Sequence, residues 1–223
     1  MAMERVLEAE VIDTVAQAEA YDAMDMCSVN HAFARTFLEL GAKGRVLDVG
    51  CGPGHLALQL VAISSKVEVV GVDLSQQMLA IAEEHRVVSS HADQVRFQLA
   101  DAKALPFEDG SFDAVCCKST LHHIPDPSRL LSEIWRLRAD GGALLIRDLY
   151  RPEDEAGVEV LIEKYATERT ESGKENMRSG LRAALTPDEL LELARAAGMQ
   201  GAELVIDSDR HMSLQVAATK VKD

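Results

Sequence analysis

The sequence predicts an α/β fold in which a mostly parallel sheet carries helices on both faces. Short runs rich in Val, Leu and Ile alternate with helical patterns between residues 45 and 149, and such alternation is typical of right-handed βαβ units. The strand candidates are apolar at almost every position, as expected for strands buried on both faces. We therefore expect a ligand to bind beyond the carboxyl ends of the strands, where the strand order reverses.

The first two strand–helix units are predicted from apolar runs and the residues that flank them. Residues 45–49 form a strand that ends in glycines, and residues 55–63 form a helix with apolar residues at helical spacing. A second strand is predicted over residues 67–72. Ser75 is the expected N-cap of the next helix, because its hydroxyl can accept from a free backbone N–H of the first turn.

The rest of the core adds three predicted strands and one helix. The strands cover residues 95–99, 112–117 and 143–149, and the helix covers residues 127–137. Asp140-Gly141-Gly142 is expected to form the turn into the last of these strands, because glycine adopts turn conformations at little steric cost.

The segments on either side of the core lack this alternation. A further helix is expected to begin at Thr186-Pro187, since Pro is favoured in the first turn, and two final strands are predicted at about 202–207 and 212–220. Because no low-complexity linker divides the chain, we expect one domain over residues 1–223. Its expected parts are an N-terminal helical cap (1–40), the α/β core (41–150), a charged helical insertion (151–184) and a C-terminal helix with two strands (185–223).

Charge and composition argue against several classes of function. The formal net charge is −14, whereas a protein that binds nucleic acid or an anionic membrane needs a basic surface. No apolar run approaches the roughly 20 residues that span a bilayer, and the first residues lack a signal-peptide pattern. The four cysteines show neither a disulfide framework nor metal-binding spacing. We expect a cytoplasmic protein with reduced thiols, no metal, and no nucleic-acid or membrane partner.

The strongest local signal is the glycine-rich segment 46–54, VLDVGCGPG, between the first strand and its helix. Glycines allow the backbone to turn tightly and to approach a ligand closely. A nicotinamide dinucleotide is one candidate ligand, but its G-x-G-x-x-G pattern fails because His55 takes the place of the last glycine. Pro53 also removes an N–H that a pyrophosphate would use. A zwitterionic amino-acid group needs fewer donors, so the segment argues against a dinucleotide.

Two aspartates follow later strands at the edge where the ligand is expected. Asp73 ends the second strand and can accept from both hydroxyls of a ribose. The alternative is an exposed Asp that caps the next helix, a role for which Ser75 is better placed. Asp101 follows the third strand and can accept from an adenine amino group.

The order of these motifs resembles the class I S-adenosylmethionine-dependent methyltransferases, most closely the small-molecule branch that includes the ubiquinone/menaquinone-biosynthesis methyltransferases. The segments that carry the resemblance, within residues 44–150, are VLDVGCGPG, GVDLS, LADAKALPFEDGSFDAV, LHHIPDP and LRADGGALLI. The resemblance implies a Rossmann-like seven-stranded sheet whose last strand is antiparallel, and S-adenosyl-L-methionine as the cofactor. It implies that the cofactor lies against residues at the strand ends: Asp48, Gly50, Cys51, Gly52, Gly54, Asp73, Leu74, Met78, Asp101, Ala102 and Lys118.

The resemblance further implies methyl transfer to a small-molecule acceptor by direct displacement at the sulfonium methyl. The protein would then supply alignment and desolvation, so a general base is optional. The alternative is a catalytically silent module that binds the cofactor or a partner. No Asn/Asp-Pro-Pro-Tyr/Phe motif follows the fourth strand, so the signature of amino-methylating DNA and protein enzymes is missing. A monomer and a homodimer are both compatible with the sequence.

Three side chains are candidate catalytic groups near the acceptor. His122 and His123 follow the fourth strand, and either could take a proton near neutral pH. The alternative is a structural role in the turn that they form. Asp148 ends the fifth strand and could contact the acceptor or else pair with a neighbouring arginine. His211 is expected in a solvated hairpin turn between the last two strands.

Residues 1–40 and 151–184 are expected to form a lid over the acceptor, because they flank the carboxyl end of the sheet. Insertions of this length beside a ligand site are usually functional or disordered. The insertion keeps apolar residues at helical spacing that could close against an apolar ligand, namely Val158, Leu161, Ile162 and Tyr165. The competing interpretation is an oligomer interface or a solvated helix.

Overall fold

The computed structural model describes residues 3–8, 14–24, 26–167 and 169–219. The strands are β1 Gly44–Val49, β2 Val67–Asp73, β3 Val95–Leu99, β4 Phe112–Lys118, β5 Arg138–Leu149, β6 Glu203–Ile206 and β7 His211–Val216. The α-helices are α1 Val15–Asp22, α2 Cys27–Glu39, α3 His55–Ile63, α4 Gln76–Val88, α5 Ser128–Leu137, α6 Glu155–Tyr165, α7 Glu171–Ala183 and α8 Pro187–Ala196, and short 3₁₀ helices lie at Ala92–Gln94 and Leu121–His123. None of the helices in these ranges is long and apolar enough to cross a membrane.

The seven strands form one sheet in the order β3-β2-β1-β4-β5-β7-β6. Strands β1 to β5 pair in parallel, and β7 runs antiparallel to both β5 and β6. The predicted Rossmann-like, seven-stranded sheet with an antiparallel last strand is confirmed. The order reverses between β1 and β4, so the carboxyl ends of these two strands flank the crevice where such sheets bind ligands.

Successive residues of β1 belong to two separate cores, one on each face of the sheet. Val46 packs on the side of α2 and α3, together with Phe33 and Leu60. Leu47 packs on the other side, where α5 contributes Ile134 and α8 also contributes apolar side chains. Helices therefore cover both faces, which explains why the strands are apolar at nearly every position.

Most predicted elements agree with the structure to within a few residues, but one predicted turn is wrong. The N-cap of α4 is Ser75, as predicted, and its hydroxyl accepts from the Met78 N–H at 3.2 Å. Asp140-Gly141-Gly142 lies within β5 rather than before it. The pairing register between β4 and β5 shifts between Phe112 and Ala114. The glycines therefore form an irregularity inside the strand, where glycine is often found.

The cap predicted over residues 1–40 is helical in part. Helices α1 and α2 confirm the prediction for most of it, but residues 3–8 lie outside any helix. The N–H groups of Met3 and Val6 donate to backbone carbonyls of the insertion and of α7, at 3.0 and 3.1 Å. Backbone groups of residues 3–8 therefore form hydrogen bonds with the insertion rather than within a helix. Residues 1–2, 9–13 and 25 of the predicted cap lie outside the described residues.

Helices α6 and α7 confirm the predicted helical insertion, and they share a small core of their own. Its buried members are Val158, Leu161, Ile162, Ala166, Met177 and Leu181. The Tyr165 hydroxyl donates to Asp209 at 2.7 Å. The expectation that the apolar stripe of α6 closes against a ligand is therefore wrong, because α7 already buries that stripe.

Candidate functional site

The glycine loop connects β1 to α3 at the carboxyl edge of the sheet. The N–H groups of Gly50 and Cys51 both donate to the Val72 carbonyl of β2, at 2.8 and 3.0 Å, which holds the loop on the neighbouring strand. Gly50 has a φ of +71°, and a side chain at this position would overlap Thr120. Backbone conformation and packing therefore both require glycine here.

Two adjoining clefts lie at this edge, and Tyr21, Gly50 and Gly52 line both of them. With the space open to solvent included, their empty volumes are about 740 and 420 Å³. The larger cleft is also lined by five residues of the predicted cofactor site: Asp73, Leu74, Met78, Asp101 and Ala102. The smaller cleft is also lined by three others of the predicted set: Asp48, Cys51 and Lys118. The structure thus brings together predicted site residues from four different strand ends.

Asp73 ends β2 and lines the larger cleft. Its two carboxylate oxygens accept from the N–H groups of Gly52 at 2.8 Å and of Ser75 at 2.9 Å. Burial raises the pKa of Asp73, and these backbone hydrogen bonds oppose the rise. The alternative in which Asp73 caps α4 is wrong, because Ser75 supplies the side-chain cap. Each carboxylate oxygen keeps a further lone pair for a ligand.

Both polar and apolar side chains line the larger cleft. Asp101 Oδ1 accepts from the Lys103 N–H at 2.9 Å and lies 3.2 Å from Lys103 Nζ. Partial burial acts to raise the pKa of Asp101, but these contacts with Lys103 hold it below its usual value. Met78 is buried and Leu74 is 41% exposed, and both contribute apolar lining to this cleft.

The smaller cleft combines buried charges with oxygens that lack donors. Burial raises the pKa of Asp48 to about 7, against a hydrogen bond from Cys116 and the charge of Lys118. Burial also lowers the pKa of Lys118, although the charge of Asp48 opposes this. No described group donates a hydrogen bond to Oδ2 of Asp48 or to Oδ1 of the buried Asn30. Because buried oxygens without donors are rare, this cleft suits a ligand that brings donor groups of its own.

Gly54 is absent from the described residues that line the two clefts. Its φ is +81°, and a side chain there would collide with the ring of Phe97 and approach Ala82. The absence of a side chain at Gly54 therefore permits close packing of the start of α3 against β3 and α4. Gly54 itself lines neither cleft, although its neighbours Pro53 and His55 both line the smaller one.

His122 and Asp148 form a buried pair, and neither of them lines a cleft that the structure describes. His122 Nδ1 lies 2.5 Å from Asp148 Oδ1, and the Leu121 N–H donates to Asp148 Oδ2 at 2.6 Å. Burial acts to lower the pKa of His122, but the charge of Asp148 raises it above its usual value. Burial likewise acts to raise the pKa of Asp148, but the charge of His122 lowers it.

The expected alternative partners of Asp148 bind other carboxylates. Arg147 lies 2.7 Å from Asp207, and Arg151 lies 2.6 Å from Glu189. The alternative pairing of Asp148 with a neighbouring arginine is therefore wrong. The carboxylate of Asp148 instead contacts Leu121 and His122 in the turn that follows β4. We call this turn, Leu121–His123, the histidine turn.

His123 is the histidine of this turn that lines the larger cleft. Its Nδ1 lies 2.8 Å from Glu8 Oε1, and the same oxygen lies 3.6 Å from His122 Nε2. The guanidinium of Arg5 donates to two carbonyls just after His123, at 2.8 and 2.9 Å. The segment 3–8 therefore fastens onto the histidine turn and covers it from one side.

His211 begins β7 and pairs in the sheet with Leu149. Burial lowers the pKa of His211 to about 4, and the charge of Arg210 adds to this effect. The expected solvated hairpin turn is therefore wrong for this side chain. The sheet places it among other side chains, where the charged imidazolium is disfavoured.

Sequence reasoning did not single out Tyr21, Asn30 or Glu8 as site residues. All three precede the glycine loop by about 20 residues or more and belong to no recognised motif. One signal was available for Asn30: it shares a helical face with Phe33 and Phe37, and an amide on an otherwise apolar face needs a polar partner. Tyr21 and Glu8 carried no such signal, because their partners are set by the tertiary fold.

Comparison with known proteins agrees with this geometry. Residues 47–146 match the family model described as a methyltransferase domain. The chain is 33% identical over 163 residues to 27-O-demethylrifamycin SV methyltransferase of Amycolatopsis mediterranei. The aligned region covers 73% of this chain and 56% of that protein. It is 41% identical over 111 residues to demethylmenaquinone methyltransferase of Thermus thermophilus, covering 50% of each. The chain therefore spans about half the length of the curated relatives it matches.

Solved structures give the same fold. Phosphoethanolamine N-methyltransferase 2 of Haemonchus contortus, in complex with S-adenosyl-L-methionine, is 27% identical with a TM-score of 0.68, over 86% of this chain and 43% of that one. A methyltransferase from Aquifex aeolicus shares the fold at 18% identity and a TM-score of 0.68, over 91% and 97% of the two chains. The sheet order, the glycine loop and these matches together show that the chain carries a methyltransferase domain with the Rossmann-like fold of the class I S-adenosylmethionine-dependent enzymes.

Proposed function

We propose that this chain transfers a methyl group from S-adenosylmethionine to a small-molecule acceptor. The observation that carries the proposal is the pair of adjoining clefts, one with a carboxylate at the end of β2 and the other with buried oxygens that lack donors. When bound, the cofactor supplies an electrophilic methyl group on its sulfonium, and S-adenosylhomocysteine leaves after transfer. The protein aligns the two reactants and excludes water from them.

The larger cleft suits the adenosine part of the cofactor. Asp73 would accept hydrogen bonds from the ribose hydroxyls through the lone pairs that Gly52 and Ser75 leave available. Asp101 would accept from the adenine amino group. Leu74 and Met78 would pack on the adenosine, and Ala102 would lie beside the adenine.

The smaller cleft suits the amino-acid part. Oδ2 of Asp48 and Oδ1 of Asn30 lack donors from the described chain, and an ammonium group would supply them. Lys118 lines the same cleft and would balance a carboxylate. Cys51 also lines the smaller cleft. Its thiol is uncharged, since burial raises the pKa of the thiol well above the usual value. Buried charges need partners, so binding would satisfy both ends of the zwitterion.

The acceptor would approach from the side of the histidine turn. His123 lines the larger cleft and is the candidate to take a proton from acceptors that need a base. His122 and Asp148 would act as positioning residues, because Asp148 holds both the His122 ring and the Leu121 N–H. Arg5 and Glu8 bind this turn, so the N-terminal segment and the insertion to which it is attached would select the acceptor.

The proposal is tested by methyl transfer itself. The purified chain is incubated with methyl-labelled S-adenosylmethionine and a metabolite extract, and labelled products are identified by mass. A G52V variant serves as the blank. A labelled small molecule formed by the wild type alone supports the proposal. Binding of S-adenosylhomocysteine without transfer to any acceptor of a broad panel would instead favour the catalytically silent module.

A further inference from the structure

A second cluster of histidine and carboxylate side chains lies outside the histidine turn. It joins Asp22, the last residue of α1, to His55, the first residue of α3, and to His85 in the last turn of α4. His55 Nε2 lies 2.8 Å from Asp22 Oδ1, and His85 Nε2 lies 3.5 Å from Asp22 Oδ2. The two imidazole rings stack with their centroids 4.7 Å apart. Between 26% and 38% of each side chain is exposed, so an ion can reach the cluster from solvent.

The hydrogen bond on the far side of His85 fixes its tautomer. Nδ1 lies 3.0 Å from the Pro53 carbonyl oxygen. A carbonyl can only accept, so Nδ1 carries the proton and Nε2 of the neutral ring presents a lone pair. This lone pair faces the Asp22 carboxylate. Histidines that bind metals commonly anchor their other nitrogen on a carbonyl or carboxylate in this way.

The contact between His55 and Asp22 is close, but it is not a hydrogen bond. Asp22 Oδ1 is buried, and no hydrogen bond of acceptable geometry reaches it from the described part of the chain, although His55 Nε2 is only 2.8 Å away. A hydrogen-bonded oxygen lies nearly in line with the N–H. An oxygen that shares a metal ion with the nitrogen lies off this line, because the ion occupies it. Each of the three side chains offers one ligand atom, and these atoms all lie within 4.8 Å of one another.

We propose that Asp22, His55 and His85 bind a divalent transition-metal ion such as Zn²⁺. Two imidazole nitrogens and one carboxylate oxygen form a donor set that zinc favours, with a fourth position left for water. Mg²⁺ and Ca²⁺ prefer oxygen donors, so they are poor candidates. The cluster is not visible as a spacing motif in the sequence, because its members come from three separate helices.

The ion would fasten α1 to the glycine loop. His55 directly follows the loop, His85 binds the loop carbonyl of Pro53, and Asp22 directly follows Tyr21, which lines both clefts. Zn²⁺ bound here would hold Tyr21 over the clefts and should tighten binding of S-adenosylhomocysteine. By linkage, S-adenosylhomocysteine should tighten Zn²⁺ binding by the same factor. This coupling rests on the proposed function, whereas metal binding itself does not.

The test is calorimetry of ZnCl₂ alone with the tag-free, chelator-treated full chain. We expect one tight site in the wild type. D22N and H85Q should each weaken it by at least the roughly 10- to 100-fold that loss of an outer-shell partner costs. H91Q removes a histidine just beyond α4 and should bind Zn²⁺ like the wild type. H123A disrupts the other described group that could hold a metal, which consists of Glu8, His122 and His123. This variant should still bind Zn²⁺ at the cluster of Asp22, His55 and His85.

Two outcomes would overturn the proposal. No Zn²⁺ binding by the wild type would mean that the three side chains only contact one another. Unchanged affinity in both D22N and H85Q, with native circular dichroism spectra, would place the metal elsewhere. Replacing Zn²⁺ by Co²⁺ adds a second readout, because a four-coordinate nitrogen and oxygen site gives visible absorption that D22N should abolish. Zn²⁺ binding without any effect on S-adenosylhomocysteine affinity would overturn only the coupling to the clefts.

Discussion

The two clefts proposed for the cofactor and the histidine turn proposed for the acceptor side are built in different ways. The two clefts take most of their lining from short stretches at or just after strand ends, such as 48–53, 72–75 and 100–103. The histidine turn instead depends on partners far away in sequence, since Glu8 and Arg5 reach it from more than 100 residues upstream. A cofactor site made of local segments can be shared by many relatives, whereas an acceptor site made of distant contacts can change without disturbing it.

The largest expected effect is the loss of cofactor binding when Gly52 gains a side chain. Gly52 has a φ of +52° and lines both clefts, and the nearest protein atom to an added Cβ is on Tyr21 at 3.8 Å. The new side chain would occupy cleft space rather than collide with protein. G52V should therefore abolish binding of S-adenosylhomocysteine in calorimetry, and G52A should weaken it strongly.

A matched variant separates this effect from backbone strain. Gly201 has a similarly positive φ of +81°, but an added Cβ there meets nothing within 4 Å. G52A and G201A should both lose roughly 1–2 kcal/mol of unfolding free energy, the cost of a left-handed residue with a side chain. G201A should bind cofactor normally. If the two variants bound equally well, the clefts would not be the cofactor site.

The next effect concerns the acceptor side. D148A leaves His122 buried without its partner, and loss of one member of a buried pair costs about 3–5 kcal/mol. Folding raises the pKa of His122, so its contribution to stability is fully present below its unfolded pKa of about 6.5. Folding lowers the pKa of Asp148, so its contribution is fully present above its unfolded pKa of about 3.9. The difference in unfolding free energy between wild type and D148A should therefore be largest between these values.

Denaturant titrations at several pH values measure this difference. It should shrink as the pH rises through the raised pKa of His122, and again as the pH falls through the lowered pKa of Asp148. A difference that is independent of pH would show that Asp148 acts only through its hydrogen bond from Leu121. Cofactor affinity should change little in D148A, since Asp148 lines neither described cleft.

A smaller effect is expected at the ribose. D73A removes the carboxylate proposed to bind the diol, and a hydrogen bond to a charged group contributes roughly 1.5–3 kcal/mol, or about 10- to 150-fold in affinity. D73N is the milder comparison, because it keeps one acceptor oxygen. Unchanged affinity in D73A would remove Asp73 from the cofactor site.

The smallest effect is a dependence of cofactor affinity on pH. The pKa of Asp48 is about 7, and the ionised carboxylate is the form that binds an ammonium group. Binding should therefore favour proton release, and the affinity for S-adenosylhomocysteine should rise roughly tenfold from pH 6 to pH 8. D48N should lose this dependence. A wild-type affinity that is flat over this range would place the ammonium away from Asp48.

The extent of correct prediction from sequence follows the same division between the two sides. The strand positions, the glycine loop, the position of Asp73 at the end of β2 and the Ser75 cap were predictable because each depends on residues within a few positions of it. The bulge at Gly141 was not, because a glycine pair predicts a turn equally well before a strand or inside it. The partner of Asp148 was also missed, since the neighbouring arginines are adjacent in sequence but bind Asp207 and Glu189 in the fold.

The cap shows why helical periodicity alone misleads about function. The apolar stripe of α6 was correctly identified as one face of a helix, yet its partner is α7 and not a ligand. Periodicity shows that a face is buried without showing what buries it. Tyr21 illustrates the converse, because a residue without any pattern lies at the junction of both clefts.

Calorimetric titration of the wild-type chain with S-adenosylhomocysteine, beside an identical titration with NADH, tests the central claim most directly. The two clefts would be filled by one ligand, so we expect a single S-adenosylhomocysteine per chain and no heat of binding from NADH. The missing last glycine and Pro53 in the loop are the physical reasons for the second result. Absence of S-adenosylhomocysteine binding, or NADH binding of similar affinity, would contradict the assignment of the clefts.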